Sequence, residues 1–149
     1  MSNILYYLLA LITGIALSTQ SGVNSQLRSV LGNPVLASLV SFSIGTIALI
    51  IYLSVFQPGS FITLANLQGM TWYKWTGGLL GAFIVSFIII IAPRIGAANM
   101  VGLVVAGQIF IALIFDHFGL LGFTQHGINW VRIFGASLLI TGVFLILKN

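Results

Sequence analysis

Cysteine is absent from the 149 residues, and Asp116 is the single acidic side chain. The first absence removes disulfides, thiolate nucleophiles and Cys-based metal sites together. The second argues against an enzyme, which needs at least two positioned acid or base groups. Charge of either sign is scarce: five Lys/Arg and one Asp/Glu make 4% of the chain, against about 25% in a typical soluble domain. Charged residues are the ones that normally face water, and this number of them cannot coat a soluble globule. Disorder is excluded as well, because disordered chains are polar and highly charged. The cations are spread singly from Arg28 to Lys148, without the patch that phosphate binding requires, so nucleic acid is not an expected partner. No P-loop, GxGxxG or HExxH pattern occurs, and no cofactor is expected.

What the chain has is apolar length, with 59% hydrophobic residues. Five bilayer spans at about 20 residues each would occupy roughly 100 positions, leaving short connections and no room for a soluble lobe. The pattern predicts an all-α integral membrane protein, a single membrane domain over residues 1–149. Its helices are expected near 4–27, 34–56, 72–92, 97–115 and 130–147. Met1-Ser2-Asn3 offers no basic segment ahead of the first apolar run, so a cleaved signal peptide is not expected. Asn33-Pro34 reads as a helix start, with asparagine capping free amides and proline at the first helical position. Gln57-Pro58-Gly59 stops the second span, Pro93-Arg94 follows the third, and Asp116-His117 closes the fourth. Tyr6, Tyr7, Tyr52, Trp72, Trp75 and Trp130 lie near span ends, as an aromatic belt would. In the connections 57–71 and 116–130, Phe61, Ile62, Leu64 and Phe123 are candidates to rest on the membrane interface.

The same scarcity of charge bears on orientation. With five spans, Lys74 and Arg132 fall on the N-terminal side, and Arg28, Arg94 and Lys148 on the other. Lys and Arg normally accumulate on the cytoplasmic side; two against three is almost no bias. One reading is a weakly biased protein oriented by its first helix or by lipid. The other is dual topology, with copies inserted both ways and paired as an antiparallel dimer of ten helices. Such a dimer imitates the inverted repeats of many transporters, whose substrate site lies at the midplane between repeats.

Small residues recur at helical spacing in Gly14-Ser18-Gly22, Ala37-Ser41-Gly45, Gly77-Gly81 and Gly102-Ala106. Each series lets helix backbones approach closely. Polar residues inside spans are costly and tend to face the bundle interior or a water-filled path. Gln20, Asn24 and Arg28 share one helical stripe, and Gln108 falls near the middle of the fourth span. These amides serve either a solute path or interhelical hydrogen bonding. Arg28 is expected to anchor a helix end by snorkelling. Asp116 is a candidate coupling group on which a proton and a cation compete; at a helix end it can equally stay hydrated or pair with Arg132. Asp116, His117 and His126 lack the spacing of a metal site, and no metal is expected.

Several stretches carry a family likeness. They include Gln20-Ser-Gly-Val-Asn24-Ser-Gln-Leu-Arg28 ahead of Gly32-Asn33-Pro34, Ser41-Phe42-Ser-Ile-Gly45, Trp75-Thr-Gly77-Gly78-Leu-Leu-Gly81, and Pro93-Arg-Ile-Gly96. The densest runs from Gly107-Gln108 to Asp116-His117-Phe118-Gly119, followed by Arg132-Ile-Phe-Gly135. Together they resemble the short five-helix, YdcZ-like branch of the drug/metabolite transporter superfamily. The resemblance implies a multi-pass carrier of the bacterial inner (plasma) membrane for small organic solutes, working by alternating access as a homodimer or with a related subunit. The related four-helix multidrug exporters exchange protons on a glutamate in the first helix, where this chain has Gln20 and Asn24. Proton exchange by that chemistry is then not expected, and uniport and another coupling ion are both open. The expected cavity lies at the midplane between two chains, lined by Gln20, Asn24, Phe42, Trp75 and Gln108. Phe42 and Trp75 could hold an organic cation by cation–π attraction. The alternative is a non-transporting membrane subunit or assembly factor whose glycine faces bind a larger protein.

Overall fold

The computed structural model describes residues 3–61 and 70–148; the candidate interface residues Ile62 and Leu64 lie outside them. The helices are α1 (Asn3–Leu31), α2 (Pro34–Phe56), α3 (Thr76–Ile95), α4 (Ala97–Phe118) and α5 (Trp130–Lys148), with a 3-10 turn at Trp72–Trp75 leading into α3. Each is long and apolar enough to cross a bilayer. The shortest, α5, has 19 residues, which rise about 28 Å against a hydrocarbon core of about 30 Å.

The burial pattern follows from lipid as the solvent. Among the described apolar residues only Ala37, Ile88, Ile89, Met100 and Val143 are buried. An apolar side chain gains little by leaving lipid for protein, so helices pack through small residues and scattered polar contacts. Five hydroxyls inside the spans are satisfied locally: Thr13, Thr19, Ser21, Ser54 and Thr141 each donate to the carbonyl one turn earlier.

The chain divides into two compact units, Met1–Pro93 and Arg94–Asn149. In the first, α1 and α2 form a close hairpin. α1 runs a turn beyond residue 27 because its stop is Gly32, at φ 70; the Gly32 amide donates to the Arg28 carbonyl at 2.8 Å. Asn33 Oδ1 then accepts from the Val35 and Leu36 amides at 2.8 and 3.1 Å, with Pro34 opening α2. α3 meets this hairpin through side chains. Ser86 Oγ donates to Ser38 Oγ at 2.9 Å, Ser38 donates on to the Pro34 carbonyl, and the Phe42 ring lies over Gly81.

α3 does not end before Pro93 but passes through it to Ile95. Proline has no N–H, which strands the carbonyl one turn earlier; here that is Ile89, fully buried at 0% exposure. Arg28 fills the gap: its Nη1 donates to the Ile89 carbonyl at 3.0 Å.

In the second unit α4 and α5 pair as a hairpin. Gly102 is the close approach, since a Cβ there would stand 3.2 and 3.3 Å from the two methyls of Val143. α4 continues past Asp116-His117 to Phe118, where Gly119 at φ 62 takes the left-handed cap and its amide donates to the Phe115 carbonyl.

Candidate functional site

A cleft of about 250 Å³ opens on the first unit, lined by Gln20, Ser41, Phe42, Gly45, Thr46 and Leu49. α1 contributes only Gln20; α2 supplies the rest. Phe42, Gly45, Thr46 and Leu49 fall at helical i, i+3, i+4 and i+7 positions and so share one face. Gln20 brings an amide, with both donors and an acceptor, and it forms no side-chain hydrogen bond among the described residues. The cleft thus pairs one uncommitted amide with two hydroxyl groups and an aromatic wall.

Asn24, one turn along α1 from Gln20, is only 4% exposed, yet its side chain also makes no hydrogen bond among the described residues. Ser25 Oγ beside it is buried without a partner. Buried polar groups are normally bonded because desolvating one costs about 1–3 kcal/mol. The Ser25 hydroxyl is therefore an exception, and it sits beside an amide that is also unbonded. Arg28, the third residue of the stripe, is turned inward onto the Ile89 carbonyl rather than snorkelling. The negative end of the α1 helix accounts for a cation in the last turn, but not for this inward direction.

The remaining expected residues are placed elsewhere. Trp75 sits in the 3-10 turn before α3, 56% exposed and outside the cleft. Gln108 is on α4, in the second unit, with an exposed side chain. Asp116 ends α4 in an ion pair, its Oδ2 accepting from Arg132 Nη2 at 2.8 Å.

That ion pair belongs to a network that ties the connection from α4 to α5. Arg132 Nη1 donates to the His126 carbonyl, and the His126 amide donates to the Asp116 carbonyl at 2.8 Å. His117 Nδ1 accepts from the Ile128 amide, and Gln125 Nε2 donates to the His117 carbonyl. Asn129 Oδ1 caps α5 through the Arg132 amide at 2.9 Å. The rings of Phe115 and Phe123 stack at 6.3 Å. Asp116, His117 and His126 are thus occupied with backbone and with Arg132, and no metal-binding group of three such side chains forms among the described residues.

The sequence reading missed Thr46 and Leu49 as lining residues, although they continue the face that starts at Phe42. Ser41 and Gly45 were legible only as a packing stripe. The unpaired state of Ser25 had no sequence signal, since Ser21 and Ser54 in similar settings bond their own helix.

Five apolar spans with polar groups set within them define a multi-pass membrane protein. Residues 5–145 match the family model described as "Putative inner membrane exporter, YdcZ". The chain belongs to this family, a family of membrane transporters. No curated protein and no solved structure matches it.

Proposed function

We propose that the protein is a carrier of small organic solutes in the bacterial inner membrane, and that the cleft on α1 and α2 is its half of the solute path. The observation carrying this reading is a pair of uncommitted amides one turn apart, Gln20 beside an aromatic wall and Asn24 behind it. Structural polar residues in a span find partners, whereas residues of a path keep donors and acceptors for solute and water.

Two chains complete the cavity, as an antiparallel homodimer or with a related subunit, and rocking of one against the other exposes it to each side. The near-even cation split supports opposed insertion. The Gly14-Ser18-Gly22 face supports pairing itself, in either orientation: a Cβ at Gly14 or Gly22 would meet nothing within 4 Å, leaving that face open for close helix approach. Trp75 and Gln108 join the lining in the pair. Coupling to a proton or cation, where it occurs, falls to Asp116 and requires its bond to Arg132 to open.

Uptake of a labelled-metabolite panel into proteoliposomes tests the carrier reading. Saturable flux of at least one solute, reduced by Gln20→Ala, is the expected result; no flux for any solute leaves the subunit or assembly-factor reading. Reporters fused to the C-terminus test opposed insertion, which predicts signal on both sides of the membrane. Asp116→Asn retains the hydrogen bond but not the charge, and under ion coupling it abolishes the gradient dependence of flux.

A further inference from the structure

We infer that the path in the first unit takes solutes bearing an anionic group, a carboxylate or phosphate, which docks on Arg28 with Asn24 and Ser25. The inference rests on the carrier reading and assigns the charge of its substrate.

The argument begins with a count. The chain has one acidic side chain, and it is consumed in the second unit by Arg132 at 2.8 Å. The Met1–Pro93 unit therefore contains no carboxylate side chain to receive an organic cation. It does contain a half-buried guanidinium. Arg28 spends one N–H on the Ile89 carbonyl, and the rest of the fork has no protein partner among the described residues. A neutral carbonyl cannot balance its charge, and the end of α1 offsets only part of it.

The neighbours of Arg28 favour the same ligand. Ser21, Asn24, Ser25 and Arg28 fall at i, i+3, i+4 and i+7, one stripe of α1. Asn24 is 96% buried by its 4% exposure and unpartnered, and Ser25 Oγ is buried with no partner. An amide N–H, a hydroxyl and a guanidinium fork on one stripe supply donors, and planar or tetrahedral oxyanions are what such a set binds. Gln20, one turn from Asn24 on α1, and Phe42 across the cleft from Gln20 would face the remainder of the solute. A lipid headgroup carries the same phosphate chemistry. However, Arg28 is turned toward α3 and Asn24 is enclosed, a geometry that favours a solute arriving through the path.

Binding to the full-length protein in phosphatidylcholine nanodiscs tests this with three probes of one size: benzenesulfonate, benzenesulfonamide and phenyltrimethylammonium. Both ionic probes are permanently charged, so pH does not confuse the comparison. Benzenesulfonate is expected to bind at least about tenfold tighter than the cation, the scale of one charge-assisted hydrogen bond. Arg28→Gln removes that preference, while Arg28→Lys retains charge and most of the affinity. Ser25→Ala, which leaves the Ile89 bond untouched, weakens the anion severalfold and guards against Arg28→Gln failing to fold. Equal or tighter binding of the cation, or an anion preference that survives both Arg28→Gln and Ser25→Ala, overturns the inference. Stabilisation by added phosphatidylglycerol with no response to benzenesulfonate would make this a lipid site and overturn it too. If the proteoliposome panel shows saturable flux only of cations, the inference fails and the carrier reading stands; if it shows none, the carrier reading fails first.

Discussion

The connection between α4 and α5 in the second unit and the last turns of α1 in the first treat their polar residues differently. In Arg94–Asn149, Asp116, His117, Gln125, His126, Asn129 and Arg132 are bonded to one another or to backbone, and the result is a fastened connection between α4 and α5. In Met1–Pro93, Gln20, Asn24 and Ser25 hold donors and acceptors that nothing in the described chain uses. The residues with the most reactive side chains are thus the ones already committed to structure, and the modest amides are the ones free to meet a solute. Arg28 is the exception that joins the two behaviours, half spent on Ile89 and half available.

Substitutions can break this contrast in graded steps. The largest stability effect is expected for Arg28→Ala, which strands a fully buried carbonyl at a cost of about 1–3 kcal/mol. The same change in a Pro93→Ala background should cost much less, because residue 93 regains an N–H for that carbonyl. A double-mutant cycle on unfolding in detergent measures the difference, and simple additivity would show that Arg28 is not compensating for the proline. Next comes Asp116→Ala, expected to lose about 1–2 kcal/mol, discounted because the pair is about a third exposed. Limited proteolysis between residues 119 and 129 should accelerate with it, whereas unchanged cleavage would mean the ion pair fastens nothing. Gly102→Ala should cost about 1 kcal/mol by overpacking against Val143, and adding Val143→Ala should recover part of the loss. The smallest change is Ser86→Ala, about 0.6 kcal/mol for one interhelical bond.

Much of this organisation is legible in the sequence. Scarcity of charge placed the chain in lipid, Asn33-Pro34 announced a capped helix start, and Gly102-Ala106 marked a close approach. All three are local or compositional signals. The missed features are long-range. Nothing near Arg28 indicates that its partner is a carbonyl 61 residues away, so snorkelling was the reasonable expectation. Pro93 reads as a helix end because the donor that compensates for it lies on another helix. The lacing of His117, Gln125 and His126 runs mostly through backbone atoms, which carry no residue-type signature. For the solute residues, spacing placed Gln20, Asn24 and Arg28 on one stripe, but only packing distinguishes the free amide from the half-spent guanidinium.

The central claim is that the uncommitted polar residues of the first unit form the solute path. Its most direct test is saturable uptake in proteoliposomes by a Gln20→Ala/Asn24→Ala variant, with thermal unfolding recorded on the same preparation. The account predicts a loss of about tenfold or more, equivalent to roughly 1.4 kcal/mol, with the unfolding temperature not lowered. Wild-type flux from that variant would contradict it.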